Sequence, residues 1–207
     1  RLHLVPFLEL WKNFFMKRWL LLLLFVSFSV RAFELGLDAR LSVQGGYGNA
    51  KFDTADNEAP ATSMGGGRVQ IGLQYDKKYS AGFGASYTDF QQRDDYKAWV
   101  GNRSGTRTNL LEFWVSGEAA EKIFVTGSAH ILSEYTFKKK SEGEDIVLDG
   151  PLSMSGAVSY QVTPTVYISA FIDRSTYSRK KSGGGSTGKL ANKLNLTHYG
   201  LELGLRY

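Results

Sequence analysis

Residues 197–207 (THYGLELGLRY) alternate between two kinds of side chain. Every second position is large and apolar: Tyr199, Leu201, Leu203, Leu205 and Tyr207. The positions between them are polar or small: His198, Gly200, Glu202, Gly204 and Arg206. This period of two is typical of a β-strand that has an apolar environment on one face and a polar environment on the other. The stretch therefore predicts a two-faced strand.

Seven earlier segments show the same alternation. The eight predicted strands are about 38–52, 66–76, 79–89, 107–117, 122–137, 152–162, 165–177 and 194–207. In the fifth, the alternation places Tyr135 on the apolar face. An aromatic content of 14% with 23 Gly agrees with β structure and tight turns. No helix-length pattern competes after residue 33, so we expect an all-β fold.

The predicted connections alternate in length. The stretches 76–79, 117–122 and 162–165 are short, whereas 53–65, 89–106, 138–151 and 178–193 are long and polar. This order predicts an up-and-down meander with all long loops at one end and both termini at the other.

The composition of the two faces indicates which solvent each one meets. A soluble barrel would turn its apolar face inward and show chiefly Lys, Glu and Asp outside, but the polar face here is mostly Gly, Ser and Gln. The apolar face carries Tyr and Phe toward strand ends, as in an interfacial girdle. Backbone groups inside a bilayer must all be paired, so the sheet must close. We therefore predict an eight-stranded antiparallel up-and-down transmembrane β-barrel.

The N-terminal part predicts export. Residues 16–32 (MKRWLLLLLFVSFSVRA) combine a basic start, an apolar run and small residues before a cleavage point after Ala32, the pattern of a signal peptide. Residues 1–15 are expected to be a non-native upstream extension, and 33–207 the barrel domain. Without residues 1–32 the formal charge falls from +5 to about +1. This removes the main argument for nucleic-acid binding.

The ending on Tyr207, after alternating apolar residues, resembles the C-terminal assembly signal of bacterial outer-membrane β-barrels. In architecture the whole mature chain resembles the small OmpA-, OmpX- and OmpW-like barrels. The resemblance implies a Gram-negative outer-membrane location, periplasmic termini, extracellular long loops and a monomer. It also implies contact with lipopolysaccharide and the barrel-assembly machinery, and no metal or cofactor. The assembly signal would be Tyr199, Leu201, Leu203, Leu205 and Tyr207.

The inward face is predicted to carry a polar network that fills the lumen. Isolated ions in so narrow a barrel are costly to desolvate, so opposite charges should pair. We expect Arg40 and Glu202 to be near neighbours in a network that includes Arg206. The predicted members are Arg40, Arg68, Glu112, His130, Glu134, Glu202 and Arg206.

Two basic clusters follow the loop-side ends of the fifth and seventh predicted strands. They are Lys138, Lys139 and Lys140, and Arg179, Lys180 and Lys181. Such residues could neutralise lipopolysaccharide phosphates at headgroup level. An ordinary solvated loop is the equally open alternative.

These features favour a structural, envelope-stabilising or surface-interaction role, with a narrow porin-like channel as the alternative. A lipid hydrolase using Ser128, His130 and Glu134 is the lesser alternative, and we expect no enzyme. Ser and His two residues apart resemble the lipid A deacylases, in which His precedes Ser. Here the order is reversed, and the predicted face points into the barrel.

Overall fold

The computed structural model describes residues 35–52, 61–92, 104–138, 146–150, 152–181 and 187–207. The predicted signal peptide and the upstream extension lie outside these residues. The strands are β1 (Leu35–Phe52), β2 (Ala61–Tyr75), β3 (Tyr79–Gln92), β4 (Ser104–Ala120), β5 (Ile123–Lys138), β6 (Ile146–Gly150), β7 (Leu152–Gln161), β8 (Val166–Lys181) and β9 (Thr187–Arg206).

The strands form a closed antiparallel ring. Consecutive strands pair with each other, except that β6 and β7 do not, and β9 closes the ring by pairing with β1. Strands β6 and β7 both lie between β5 and β8, so together they occupy the position of one barrel strand. The prediction of an eight-stranded up-and-down barrel is confirmed.

The two ends of the barrel differ. At one end, called the turn end, tight turns join β2 to β3, β4 to β5 and β7 to β8, and Tyr207 exchanges backbone hydrogen bonds of 2.8 and 2.9 Å with Ala39. Asp76, Lys77 and Lys122 adopt left-handed φ values of 50–63° in these turns. At the opposite end, called the loop end, the strands lead into the segments that the structure does not describe.

The strands reach further toward the loop end than the sequence predicts. The predicted loops contain 61–65 of β2, 104–106 of β4, 146–150 of β6 and 187–193 of β9. The polar composition of these stretches predicts loops, but they are strands. A strand whose outer face meets water needs no outward apolar residues, so its composition resembles that of a loop.

The outer face carries an apolar band between two rings of tyrosines. The turn-end girdle consists of Tyr75, Tyr79, Tyr160 and Tyr207, and the loop-end girdle of Tyr47, Tyr87 and Tyr199, all exposed. On β3 and on β9 the two girdles stand eight positions apart. At about 3.4 Å per residue and a tilt of about 40°, this spacing gives a height of about 21 Å, near the roughly 25 Å of a membrane barrel.

The band between the girdles consists of exposed apolar side chains, such as Leu41, Ile71, Phe83 and Leu203. No helix in the described ranges is long and apolar enough to cross a membrane.

On the inner face, glycines make room for large side chains. Gly72, Gly82 and Trp114 are cross-strand neighbours on the inward face. A Cβ on Gly72 would lie 2.8 Å from the Trp114 ring, and one on Gly82 would lie 2.4 Å from Gly72 Cα. Trp114 is fully buried in the space they leave, and its indole N–H donates to the Phe83 carbonyl at 3.1 Å.

Candidate functional site: the barrel lumen

Three side chains from the joined strands β1 and β9 form the layer of the lumen nearest the turn end. The Asp38 carboxylate accepts from Arg40 Nη2 at 2.9 Å and from Arg206 Nη2 at 2.8 Å. The Arg40 guanidinium also stacks over Trp114, 4.4 Å from the ring centroid. Asp38 thus neutralises two arginines that the antiparallel register places opposite each other.

The expected proximity of Arg40 and Glu202 is wrong. The register pairs Gln44 with Glu202 and Arg40 with Arg206, so Glu202 lies four positions from Arg40 toward the loop end. Asp38, which lies on the same inward face as Arg40, is the counter-ion that the sequence reasoning missed.

A second layer surrounds Arg68 in the middle of the lumen. Its Nε lies 3.3 Å from Glu112 Oε2, and its Nη1 lies 3.4 Å from Glu202 Oε2. Gln70 donates to Glu112 at 2.7 Å, and the Tyr167 hydroxyl donates to Glu202 at 3.0 Å. All of these side chains are buried, so one arginine balances two carboxylates with help from neutral donors.

The network of ionisable side chains continues through His130 toward the loop end. His130 is completely buried, and its Nδ1 and Nε2 each lie 3.5 Å from a carboxylate oxygen, of Glu112 and Asp173 respectively. Asp173 is also paired with Arg107, whose Nη1 donates to Ser175 at 3.0 Å. Buried carboxylate side chains therefore alternate with arginine and histidine side chains from Glu202 to Arg107.

The sequence reasoning missed Arg107 and Asp173. The register of β4 shifts around 109–112, so Arg107 and Glu112 both face inward although their positions differ by an odd number. Strict alternation would have turned Arg107 outward. Asp173 follows the inward alternation of β8, but that face also carries the buried Tyr167 and Phe171, which obscured its polar character.

The same irregularity overturns the assignments of Glu134 and Tyr135. Ile131 and Leu132 are both exposed on adjacent positions of β5, opposite the irregular part of β4. Beyond them the alternation is inverted, so Tyr135 is buried inside the barrel, whereas Glu134 lies outside, where it pairs with Lys181. Glu134 is therefore absent from the lumen network.

Above the charged layers, the loop-end part of the lumen is filled by an apolar plug. It comprises seven of the eight buried residues of one apolar cluster, whose eighth member, Phe171, lies nearer the turn end: Met64, Phe90, Tyr135, Leu148, Tyr177, Leu194 and Leu196. The ring centroid of Tyr135 lies 5.5 Å from that of Phe90 and 5.7 Å from that of Tyr177. None of these plug residues is more than 6% exposed, so all of them are packed within the barrel.

The proposed hydrolase residues do not assemble into a catalytic group. Ser128 and His130 both face the lumen, and no hydrogen bond joins them in the described part of the barrel. Glu134 is on the opposite face of the sheet. Within the described residues, no cluster of His, Asp and Glu has the geometry of a metal site.

The predicted basic clusters are partly neutralised. Arg179 Nη2 lies 3.1 Å from Asp149 Oδ2. Lys181 pairs with Glu134, and the hydrogen bond between them raises the pKa of Lys181 above its ordinary value. Lys180 is exposed. Lys139 and Lys140 lie outside the described residues, as does the side chain of Lys138.

The predicted assembly residues Tyr199, Leu201, Leu203 and Leu205 are exposed on the outer face of β9, and Tyr207, which directly follows β9, is exposed as well. Their strand is held on both sides, by β1 and by β8.

A closed eight-stranded barrel with an apolar outer band, two tyrosine girdles and a charged lumen belongs to the outer-membrane class of β-barrels. Solved structures of that class are similar to this chain. Neisserial surface protein A (NspA) matches with a TM-score of 0.52 at 12% identity, over 81% of this chain and 97% of that one. Ail, the attachment invasion locus protein of Yersinia pestis, matches with a TM-score of 0.52 at 11% identity, over 82% and 98%.

No family model matches the chain, and no curated protein matches it. At such low identities the structural likeness shows the fold alone, which is that of a small outer-membrane β-barrel protein.

Proposed function

We propose that this protein is a non-conducting outer-membrane barrel that stabilises the envelope and holds a rigid β-structured projection at the cell surface. The observation that carries the proposal is the double filling of the lumen. Charged layers occupy the part within the apolar band, and the apolar plug occupies the part above it. Either one alone would hinder ions and water.

The proposal places the turn end in the periplasm and the loop end outside the cell. Short turns on the periplasmic side and longer loops outside are general for barrels of this class. The projection is then the part of the barrel beyond the loop-end girdle, including β9 from Thr187 to His198. We further propose that lipopolysaccharide surrounds its base and that the barrel-assembly machinery inserts the chain.

Current through planar bilayers tests the closed lumen. We expect the wild-type protein to show no steady conductance. Arg68→Ala with Glu112→Ala and Phe90→Ala thins both fillings and should give a measurable current, which also validates the assay. Phe83→Ala with Phe113→Ala removes an aromatic pair from the outer face, with ring centroids 5.9 Å apart, and should stay closed. A large, steady wild-type conductance would reject the proposal in favour of a channel.

Labelling of intact cells tests the orientation. The chain has no cysteine, so single substitutions report cleanly. Gln91→Cys, near the loop end, should react with a membrane-impermeant maleimide on intact cells. Lys78→Cys, in a turn at the other end, should react only after lysis. The reverse pattern would invert the proposed topology.

The polar lumen favours a narrow channel as the second candidate, and the same bilayer experiment decides between the two. A lipid hydrolase receives no support from the geometry, since Ser128 and His130 face away from lipid and Glu134 is separated from them.

A further inference from the structure

The outer face of the β8–β9 ladder changes character just beyond the loop-end girdle. Ile172 and Tyr199 are cross-strand partners, and both are exposed in or beside the apolar band. The next outward residue of β8 is Arg174, the partner of Thr197. A permanently charged guanidinium therefore stands directly above lipid-facing side chains, at the level where headgroup phosphates lie.

Arg174 has no acidic partner among the described residues. Its cross-strand neighbours are Thr197 on β9 and Met154 on β7. By contrast, Arg179 and Lys181 further along β8 are paired with Asp149 and Glu134, which come from the β5–β6 side. The basic side chain of β8 that lies nearest the apolar band is therefore one that no described acidic residue neutralises.

Neutral hydrogen-bonding groups extend the same face away from the band. Thr197 lies beside Arg174, and Thr176 pairs with Asn195, with its hydroxyl donating to Asn195 Oδ1 at 2.8 Å. Lys193 then follows on β9 and is exposed. The order from the membrane outward is a cation, hydroxyl and amide groups, and a second cation. This order matches a phosphorylated sugar headgroup that bears a further anionic group on its outer sugars.

We infer that the outward face of the β8–β9 ladder binds one phosphorylated glycolipid of the outer leaflet. Arg174 holds the phosphate nearest the acyl chains, the Thr197, Thr176 and Asn195 side chains face the sugars, and Lys193 meets an outer anionic group. The inference rests on the proposed orientation, because only an extracellular loop end faces that leaflet. A lipid rather than a soluble polyanion is favoured, since Arg174 borders directly on the exposed Ile172 and Tyr199.

The test uses the full-length folded barrel in phosphatidylcholine nanodiscs, titrated with rough-type lipopolysaccharide. We expect Arg174→Gln to weaken binding about five- to tenfold, the loss typical of one charge-assisted contact at a membrane surface. Lys193→Gln should weaken it less. Arg179→Gln is the matched control on the same strand, and it should change little because Asp149 already neutralises that arginine. The shift in mobility between unboiled and boiled samples confirms that each variant is folded.

Three results would overturn the inference. Equal losses for Arg174→Gln and Arg179→Gln would indicate diffuse charge attraction instead of a site. If phosphatidylglycerol, titrated in place of lipopolysaccharide, bound the barrel equally tightly, a requirement for the sugar would be excluded. If Arg174→Gln weakened heparin binding as much as it weakened lipopolysaccharide binding, the face would be assigned to a soluble polyanion. An error in the proposed orientation would be detected separately, by the cell-labelling experiment.

Discussion

The barrel has two zones in which the same strands use their faces in opposite ways. Between the girdles, the outside is apolar and the inside is charged. Beyond the loop-end girdle, the outside is polar, and the inside carries the apolar plug beside the buried Arg107 and Ser175. Strand β9 carries both zones: Leu194 and Leu196 are 0% and 1% exposed inside, whereas Leu201 and Leu203 are 64% and 52% exposed outside. No bulge separates the two pairs on β9 where it faces β1.

The comparison shows that the surrounding solvent decides which face of a strand is apolar. In lipid, the outer face must be apolar and the enclosed ions must pair with each other. In water, the strand can bury apolar side chains inside, as a soluble barrel does. On β9 the large apolar residues occupy even-numbered positions up to Leu196 and odd-numbered positions from Tyr199 onward. This change of face therefore marks the level of the membrane surface.

The largest expected effect comes from breaking a buried ion pair in the charged zone. Arg68→Ala should destabilise the barrel by about 3–5 kcal/mol, because it leaves the Glu112 and Glu202 carboxylates without their arginine in a low-dielectric lumen. Adding Glu112→Ala should cost much less than the two single effects summed. Urea unfolding in vesicles, followed by tryptophan fluorescence, measures each free energy. Arg40→Ala with Glu202→Ala is the control, and it should be close to additive because no ion pair joins those residues.

A plug mutation tests the apolar interior of the loop-end zone. Leu196→Ala should cost about 2–5 kcal/mol, since it leaves a cavity among tightly packed side chains. Leu201→Ala, on the same strand but on the lipid face, should cost clearly less because lipid fills the space. Equal losses in the same unfolding assay would contradict the inversion.

A charge on the outer face tests the boundary from the other side. Phe83→Arg, within the apolar band, should destabilise insertion by about 2–4 kcal/mol. Gln91→Arg lies on the same strand and the same face but beyond the loop-end girdle, and it should stay within about 0.5 kcal/mol. The yield of heat-modifiable protein in outer-membrane fractions checks both variants. Comparable yields would place both positions in one environment.

The smallest effect is expected at the surface of the projection. Arg179→Ala removes an ion pair with Asp149 in which the arginine side chain is 47% exposed, so it should cost less than about 1 kcal/mol. The loss should shrink further in high salt, because exposed pairs are screened. A loss that persists in high salt would indicate that the pair is sequestered from water.

The sequence was sufficient for the fold but only partly for the site. Alternation and loop lengths identified all eight barrel strands, because lipid requires the outward residues of every strand to be apolar. The lumen was harder to predict because irregular register on β4 and β5 reverses the alternation, which exchanged the faces of Arg107, Glu134 and Tyr135. The partner of Arg40 depends on the register between β1 and β9, and a single sequence does not state that register. The change from even to odd apolar positions after Leu196 is visible in the sequence, but it lies within 194–207, which was predicted as one strand with a single apolar face.

The most direct test of the two zones is a scan of single cysteines along the outward face of β9 in the cysteine-free chain, reconstituted in vesicles and spin-labelled. Labels at Lys193, Asn195 and Thr197 should collide chiefly with a water-soluble nickel chelate. Labels at Leu201, Leu203 and Leu205 should collide chiefly with oxygen dissolved in the lipid, with the crossover at Tyr199. The account would be contradicted by oxygen-dominated collisions at all six positions, or by a crossover nearer the turn end.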